Sequence, residues 1–274
     1  MQLNDSEGRL ISLAAGVVQE FPPEDVVYAA AGAGFNATGI WCDLASWNST
    51  RSDRVKTALT ETGLCALDLE VVWLKPGEAL STHDAMLEIA LDLGVRNVLC
   101  VSSEPDIAHT KKRFEHLCRK AEAGRLRVVL EFLAFTEVRS LRQALEVVQD
   151  VAHPCGGILV DTLHLQRTGA SALDVSSVSP TLMPYIQLCD ASAEPQDSSQ
   201  EGLLEDALYL RQLPGDGELP LKEILAQLDP MLPLSLEIRS RALLEKYPSD
   251  PLGRASQVFR ATQRFLRTVA VTHP

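Results

Sequence analysis

The sequence predicts an α/β fold, a (β/α)8 TIM barrel, and three observations carry that expectation. Short apolar runs alternate with longer amphipathic ones along the chain. Eight such runs fall within 274 residues, the length that eight strand–helix units occupy. Most of them are almost continuously apolar rather than alternating, as parallel strands covered on both faces are. A doubly wound open sheet is the competing architecture. No linker, low-complexity tract or shift in composition divides the chain, so one barrel domain is expected over residues 1–274.

The expected strands are residues 10–15, 37–41, 66–72, 97–102, 127–132, 157–161, 185–190 and 234–238. The first helix follows Phe21-Pro22-Pro23, with proline at its start and acids in its first turn. Gly32 and Gly34 read as its C-terminal caps. Their GAG triplet precedes a strand, whereas a dinucleotide loop follows one, which argues against a Rossmann fingerprint. Further helices are expected over 52–62, 82–93, 106–123, 137–151, 221–228 and 251–269. Residues 166–184 read as irregular, with one short helix. The polar stretch 191–205 reads as a long functional loop after strand seven or as partly disordered.

Composition excludes several functions. An apolar fraction of 46% is that of a packed core, not of a disordered chain. The 25 Lys and Arg against 37 Asp and Glu leave a charge of −12, which argues against a nucleic-acid partner. No apolar run approaches the roughly 18–20 residues of a membrane span. The N-terminus lacks a basic segment ahead of its apolar stretch, so no signal peptide is expected. The six cysteines form no CxxC pair and read as reduced core residues, which points to the cytoplasm.

Catalytic groups of such barrels sit at the C-terminal ends of strands. Strand five carries Glu131 (VVLEF), strand six Asp161 and His164 (VDTLH), strand seven Gln187 and Asp190 (IQLCD), and strand eight Glu237 (LSLEI). Charge in a buried strand is costly unless it is paired or binds a metal. Taken singly, each is also compatible with a salt bridge or cap. Together Glu131, Asp161, Gln187 and Glu237 come from four consecutive strands and converge on one mouth. Three carboxylates and an amide oxygen form a hard ligand set, suited to one divalent ion, Mn²⁺ or Mg²⁺, rather than structural zinc. His164 falls at the rim. Arg211 precedes Pro214-Gly215-Asp216-Gly217, a turn that would repel phosphate through Asp216 and Glu218, so an unphosphorylated substrate is expected. Trp41, Trp47 and Trp73 suit either sugar-facing walls or rim packing.

The segments LEF, VDTLH, IQLCD, RQLPGDGELPL and LSLEI resemble the sugar phosphate isomerase/epimerase superfamily, the xylose isomerase-like TIM barrels, over essentially the whole chain. That group includes ketose 3-epimerases, hydroxypyruvate isomerase, and inosose and 3-dehydroshikimate dehydratases. The resemblance implies Glu131 and Glu237 as metal ligands and opposed acid/base groups, with Asp161 and Gln187 as the other ligands. It implies substrate contacts from His164 and Arg211 and, by a weaker match, from Glu137. Ketose 3-epimerases usually have His where Gln187 stands. The implied activity is metal-dependent isomerisation or epimerisation of a sugar or related hydroxyketone through a metal-bound enediolate. Dehydration on the same site is the first alternative, with His164 as the added acid. A non-catalytic sugar-binding barrel or complex subunit is the second. Expected partners are a small sugar, polyol or keto substrate, with no nucleic acid and no membrane. Relatives are often dimers or tetramers, so the resemblance allows a homo-oligomer.

Overall fold

The computed structural model describes residues 8–270. Eight strands follow one another around a closed, all-parallel barrel, in the order β1 to β8. They are β1 (Ile11–Leu13), β2 (Ala37–Trp41), β3 (Cys65–Leu74), β4 (Asn97–Ser102), β5 (Arg127–Glu131), β6 (Gly156–Asp161), β7 (Ile186–Leu188) and β8 (Leu234–Leu236). The closing pair is β1 with β8, in register at Ser12 and Ser235. The open-sheet alternative is thereby excluded.

Eleven α-helices are described. They are α1 (Pro23–Ala33), α2 (Ser49–Thr62), α3 (Asp84–Leu93), α4 (Ile107–Ala121), α5 (Leu141–Val151), α6 (Thr162–Arg167), α7 (Ala172–Ser176), α8 (Gln200–Tyr209), α9 (Leu221–Leu225), α10 (Arg241–Lys246) and α11 (Pro251–Ala270). Among these residues no helix is long and apolar enough to cross a membrane.

Two apolar clusters divide the strands' side chains. One packs the barrel against its helices and includes Val128, Leu130, Ile158, Val160, Ile186 and Leu188. The other fills the barrel and includes Val129, Leu159 and Tyr185. Every second residue therefore points inward, although both faces are apolar. Extending the inward parity by two residues reaches Glu131, Asp161 and Gln187, so strand geometry alone brings these polar groups to one end.

Several boundaries depart from expectation for identifiable reasons. Gly34 ends α1 with φ +102°, as a C-cap glycine does. Gly32 lies inside α1, where an added Cβ would stand 3.0 Å from Leu252. Helix α5 starts at Leu141, capped by the Ser140 hydroxyl, so Glu137 lies in the preceding loop rather than in a first turn. Residues 191–205 are only partly a loop. Ser199 accepts from Gly202 N and opens α8, whose propensity the interior Gly202 masks in the sequence. Within 166–184 there are two short helical pieces, α7 and a 3-10 turn at Pro180–Leu182, after α6 has started directly at the end of β6. Helix α10 falls where no element was expected. The six cysteines are all free, and four are buried.

Candidate active site at the C-terminal mouth of the barrel

A cleft of about 130 Å³ opens at the C-terminal ends of the strands. Glu131, His164, Gln187, Arg211, Glu237 and Trp41 all line it. Asp161 does not reach the wall. It is completely buried beneath the cleft and touches it through Arg211. Glu137 stands apart, solvent-exposed and paired with Arg139 at 3.2 Å. Two further charged groups that strand-end position does not predict also line the cleft, Glu70 on β3 and Arg239 just after β8.

Asp161 is fully committed. Its Oδ1 accepts from the backbone N–H groups of Leu163 (2.8 Å) and His164 (3.1 Å), which caps α6. Its Oδ2 accepts from Arg211 Nη1 at 2.6 Å, an ion pair with both side chains buried. Burial pushes the Asp161 carboxyl up, but the Arg211 guanidinium and the other donors outweigh it and hold it below the ordinary range.

Arg211 is aimed inward by the segment around it. Asp190 and Gln212 exchange backbone hydrogen bonds, at 3.0 and 2.7 Å. Asp190 also accepts from Gly215 N (2.9 Å) and Leu219 N (3.0 Å). A Cβ on Gly217 would fall 2.4 Å from Asp190 Oδ1, so the turn closes this tightly only with glycine there. Pro214–Gly217 is thus turn chemistry that folds Arg211 back over the mouth. The guanidinium further donates from Nε to Ala207 O of α8 and from Nη1 to Cys189 Sγ.

His164 approaches Arg211 Nη2 at 3.4 Å through Nε2. A guanidinium only donates, so Nε2 is the acceptor and the ring proton sits on Nδ1. Burial pulls the His164 imidazole down to about 4. It is neutral at physiological pH. Phe135 packs edge-on against it, with ring centres 5.8 Å apart.

The carboxyl groups crowd one another. Burial, then Asp161, drives Glu131 well above the ordinary glutamate range. Burial, then Glu237, does the same to Glu70. Glu237 is also raised by burial, while Arg211 and Arg239 oppose the shift. Its Oε2 is buried without a hydrogen-bond partner. Gln187 Nε2 donates to Glu70 Oε1 at 3.0 Å, leaving its own Oε1 as the amide's lone-pair atom. Deeper in the barrel, burial lifts Asp68 to about 7. Asp68 has Tyr185 as a neighbour, yet neither its oxygens nor the phenol oxygen makes a hydrogen bond of good geometry.

Five carboxyls (Asp68, Glu70, Glu131, Asp161 and Glu237) therefore face two arginines. Among the described residues, no three or more His, Cys, Asp or Glu stand in position to hold a metal ion. The strands bring the expected ligand residues to one end, but Asp161 is turned to Arg211 and to the start of α6.

Asp68 and Glu70 carried the same signal as Glu131, a charge within an apolar strand run (CALDLEVVWL). Strand-end position does not mark them, because they sit mid-run, before the strand's end. Register shifts in β3, one just before Asp68 and one between Leu69 and Val72 that takes in Glu70, let the strand run on to Leu74.

Residues 27–269 match the family described as xylose isomerase-like TIM barrel, and the chain belongs to that family. No curated protein shows a significant sequence match. Many solved structures share the fold. An IolI protein with a bound zinc atom aligns with a TM-score of 0.79 at 18% identity, covering 95% of this chain and 99% of that one. A D-allulose 3-epimerase from Methylomonas sp. in complex with D-allulose gives 0.69 at 14%, with coverages of 94% and 98%. A probable 3-DHS dehydratase, AsbF, from Bacillus anthracis gives 0.71 at 14%, with coverages of 93% and 98%. The chain also spans 45% of a xylose isomerase-like TIM barrel/4-hydroxyphenylpyruvate dioxygenase fusion protein, at a TM-score of 0.81 and 19% identity over 98% of this chain.

Proposed function

We propose that the protein is an isomerase or epimerase of a hydroxyketone, with Glu131 and Glu237 exchanging protons with the carbon next to the carbonyl. The observation that carries this reading is the pairing of those two glutamates. They rise from β5 and from the end of β8, three strands apart, into one cleft, and burial raises both above the ordinary glutamate range. Arg211 and Arg239 both favour the ionised form of Glu237, which suits it to serve as the base. Glu131, driven further up, holds the proton that is returned. Proton removal places the electron pair on the carbonyl oxygen. Return to the opposite face of the same carbon is epimerisation, and return to the neighbouring carbon is aldose–ketose isomerisation.

By chemistry, though not by their present spacing, the donors suit a hard divalent ion. Glu237 Oε2 is an orphaned buried oxygen, Glu131 and Gln187 Oε1 are oxygen donors at the same mouth, and the carboxyls outnumber the arginines. Glu131, Gln187 and Glu237 would hold the ion, and Asp161 would join them only by giving up its bond to Arg211. When bound, such an ion polarises the carbonyl and hydroxyl oxygens of the substrate as a Lewis acid. Arg211 and His164 would then orient the substrate, the first as donor and the second through Nδ1–H.

Dehydration needs an acid beside the leaving hydroxyl. His164, the residue that would supply it, is neutral, and its Nε2 accepts from Arg211. That favours isomerisation or epimerisation over the dehydratase alternative. The test is turnover of ketoses, keto-inositols and 3-dehydroshikimate by Mn²⁺-loaded protein, with products identified by NMR. Rearranged ketose or keto-inositol supports the proposal. A dehydrated product in place of a rearranged one refutes it.

A further inference from the structure

The cleft has two unlike sides. Its polar groups come from β5 to β8 and the segments that follow them, together with Glu70. The facing wall, from β2 to β4, presents Trp41, Val71, Trp73, Leu99 and Val101. Leu133, just after β5, and Leu204, Ala207 and Leu208 of α8 continue the apolar surface over the top. The polar handle of Trp73 is already spent, because its indole N–H donates to Ser103 Oγ at 2.9 Å. Apart from the Trp41 indole N–H, the wall therefore offers ring faces and aliphatic carbon. At its outer edge Leu204 remains 38% exposed, a large apolar side chain held beside a cleft with nothing yet packed on it.

A free ketose carries hydroxyls along its whole length. Those turned to Leu99, Val101 and Leu208 would lose water and gain no partner. Much of the polar side is also already engaged: Asp161, the Glu70–Gln187 pair, and Arg211 through its contacts to Ala207, Asp161, Cys189 and His164. Helix α8 is not free to swing away. Arg167 and Asp206 pin it from beneath with a buried ion pair at 2.6 Å, and Gln200 Nε2 donates to Phe135 O at 3.0 Å.

We propose that the substrate is a hydroxyketone bearing an apolar ring, aromatic or alicyclic, and that the ring lies between the β2–β4 wall and α8. This rests on the hydroxyketone reading above and narrows it. The polar end reaches Glu131, Gln187 and Glu237, and the ring covers the surface that a polyhydroxy sugar would leave unmatched. Trp41 also lines a neighbouring cavity of about 280 Å³, bounded by Phe21, Asp43, Trp47 and Arg51, which gives a larger ring substituent room to extend.

The test compares two probes on the full chain with Mn²⁺ present, D-fructose and 1-hydroxy-3-phenylpropan-2-one. Binding is followed by quenching of tryptophan emission, and solvent deuterium entering each probe in D₂O by NMR. The phenyl ketone is expected to bind at least about tenfold more tightly than fructose. Leu204→Ser and Leu208→Asn, both on the outer helix and not in the barrel core, should weaken the phenyl ketone about tenfold and leave fructose within about twofold. Equal or tighter binding of fructose, or equal losses for both probes in the variants, overturns the inference while exchange in fructose keeps the hydroxyketone reading alive. Exchange in neither probe removes that reading and the inference with it.

Discussion

The Gln187 side-chain amide donates to Glu70 at 3.0 Å, so a residue of β7 is oriented by one of β3 across the barrel. An amide has two nearly isosteric ends, and only its oxygen can ligate a hard cation. Glu70 decides which end faces the cleft. Glu70→Leu should therefore weaken Mn²⁺ binding about ten- to a hundredfold, as loss of an outer-shell partner does. Glu70→Gln, which keeps an acceptor, should weaken it less. Mn²⁺ titration followed by electron paramagnetic resonance reads both, and wild-type affinity in the Leu variant would remove Glu70 from this role.

Gly16 leaves space for the base. A Cβ there would stand 2.4 Å from Glu237 Oε1 and 3.1 Å from Arg239 Cδ. Gly16→Ala must displace the Glu237 carboxylate, and a shift of about 1 Å in a reacting group can cost about 10²-fold in rate. The expected result is a fall in kcat of that order with a thermal midpoint close to wild type. A Gly16→Ala enzyme turning over at the wild-type rate would show that the Glu237 position is not critical.

Arg211 and Asp161 depend on each other for burial. Arg211→Met leaves Asp161 buried beside the α6 N-terminus with no cation, and breaking such a pair costs about 3–5 kcal/mol. Arg211→Lys keeps the charge but loses the fork that also reaches Ala207 and Cys189, so a smaller loss is expected. Urea midpoints measure both. A Met variant as stable as wild type would mean that the helix-capping bonds alone sustain Asp161.

The metal-free protein should lose stability as pH rises towards neutrality. Burial lifts Asp68 from 3.8 to about 7, so between those values the folded chain keeps a proton that the unfolded chain has released. Unfolding then releases protons, and stability falls with rising pH through that window, by roughly 1.4 kcal/mol per unit at most for this group. His164 acts in the opposite sense. Lowered from 6.5 to about 4, it stays neutral when folded, and stability falls as pH drops below about 6.5. Asp68→Asn should flatten the neutral limb of urea midpoints measured in EDTA between pH 5 and 8. An unchanged slope would exclude Asp68 as its source.

Much of the barrel was legible in the sequence because its strands are short apolar runs bounded by turns and its helices are amphipathic. The strand-end carboxylates were legible for the same reason, since Glu131 and Asp161 interrupt runs such as Arg127–Glu131 and Gly156–Asp161. Three features were not. Glu70 sits within β3, and strand periodicity cannot show the register shifts around it. Helix α8 contains Gly202 and opens in a polar stretch, so tertiary anchoring by Arg167 and Asp206 decides its formation. The partner of Asp161 lies 50 residues away on an irregular segment, and spacing alone cannot separate an arginine that binds substrate from one that also holds a carboxylate.

The most direct measurement is solvent deuterium entering a hydroxyketone in D₂O, by NMR, with wild-type, Glu131→Gln and Glu237→Gln proteins saturated with Mn²⁺. If these two glutamates exchange protons with substrate carbon, wild type incorporates deuterium next to the carbonyl and each variant falls at least about 10²-fold while still folding. Exchange at the wild-type rate in either variant would contradict the paired-glutamate mechanism.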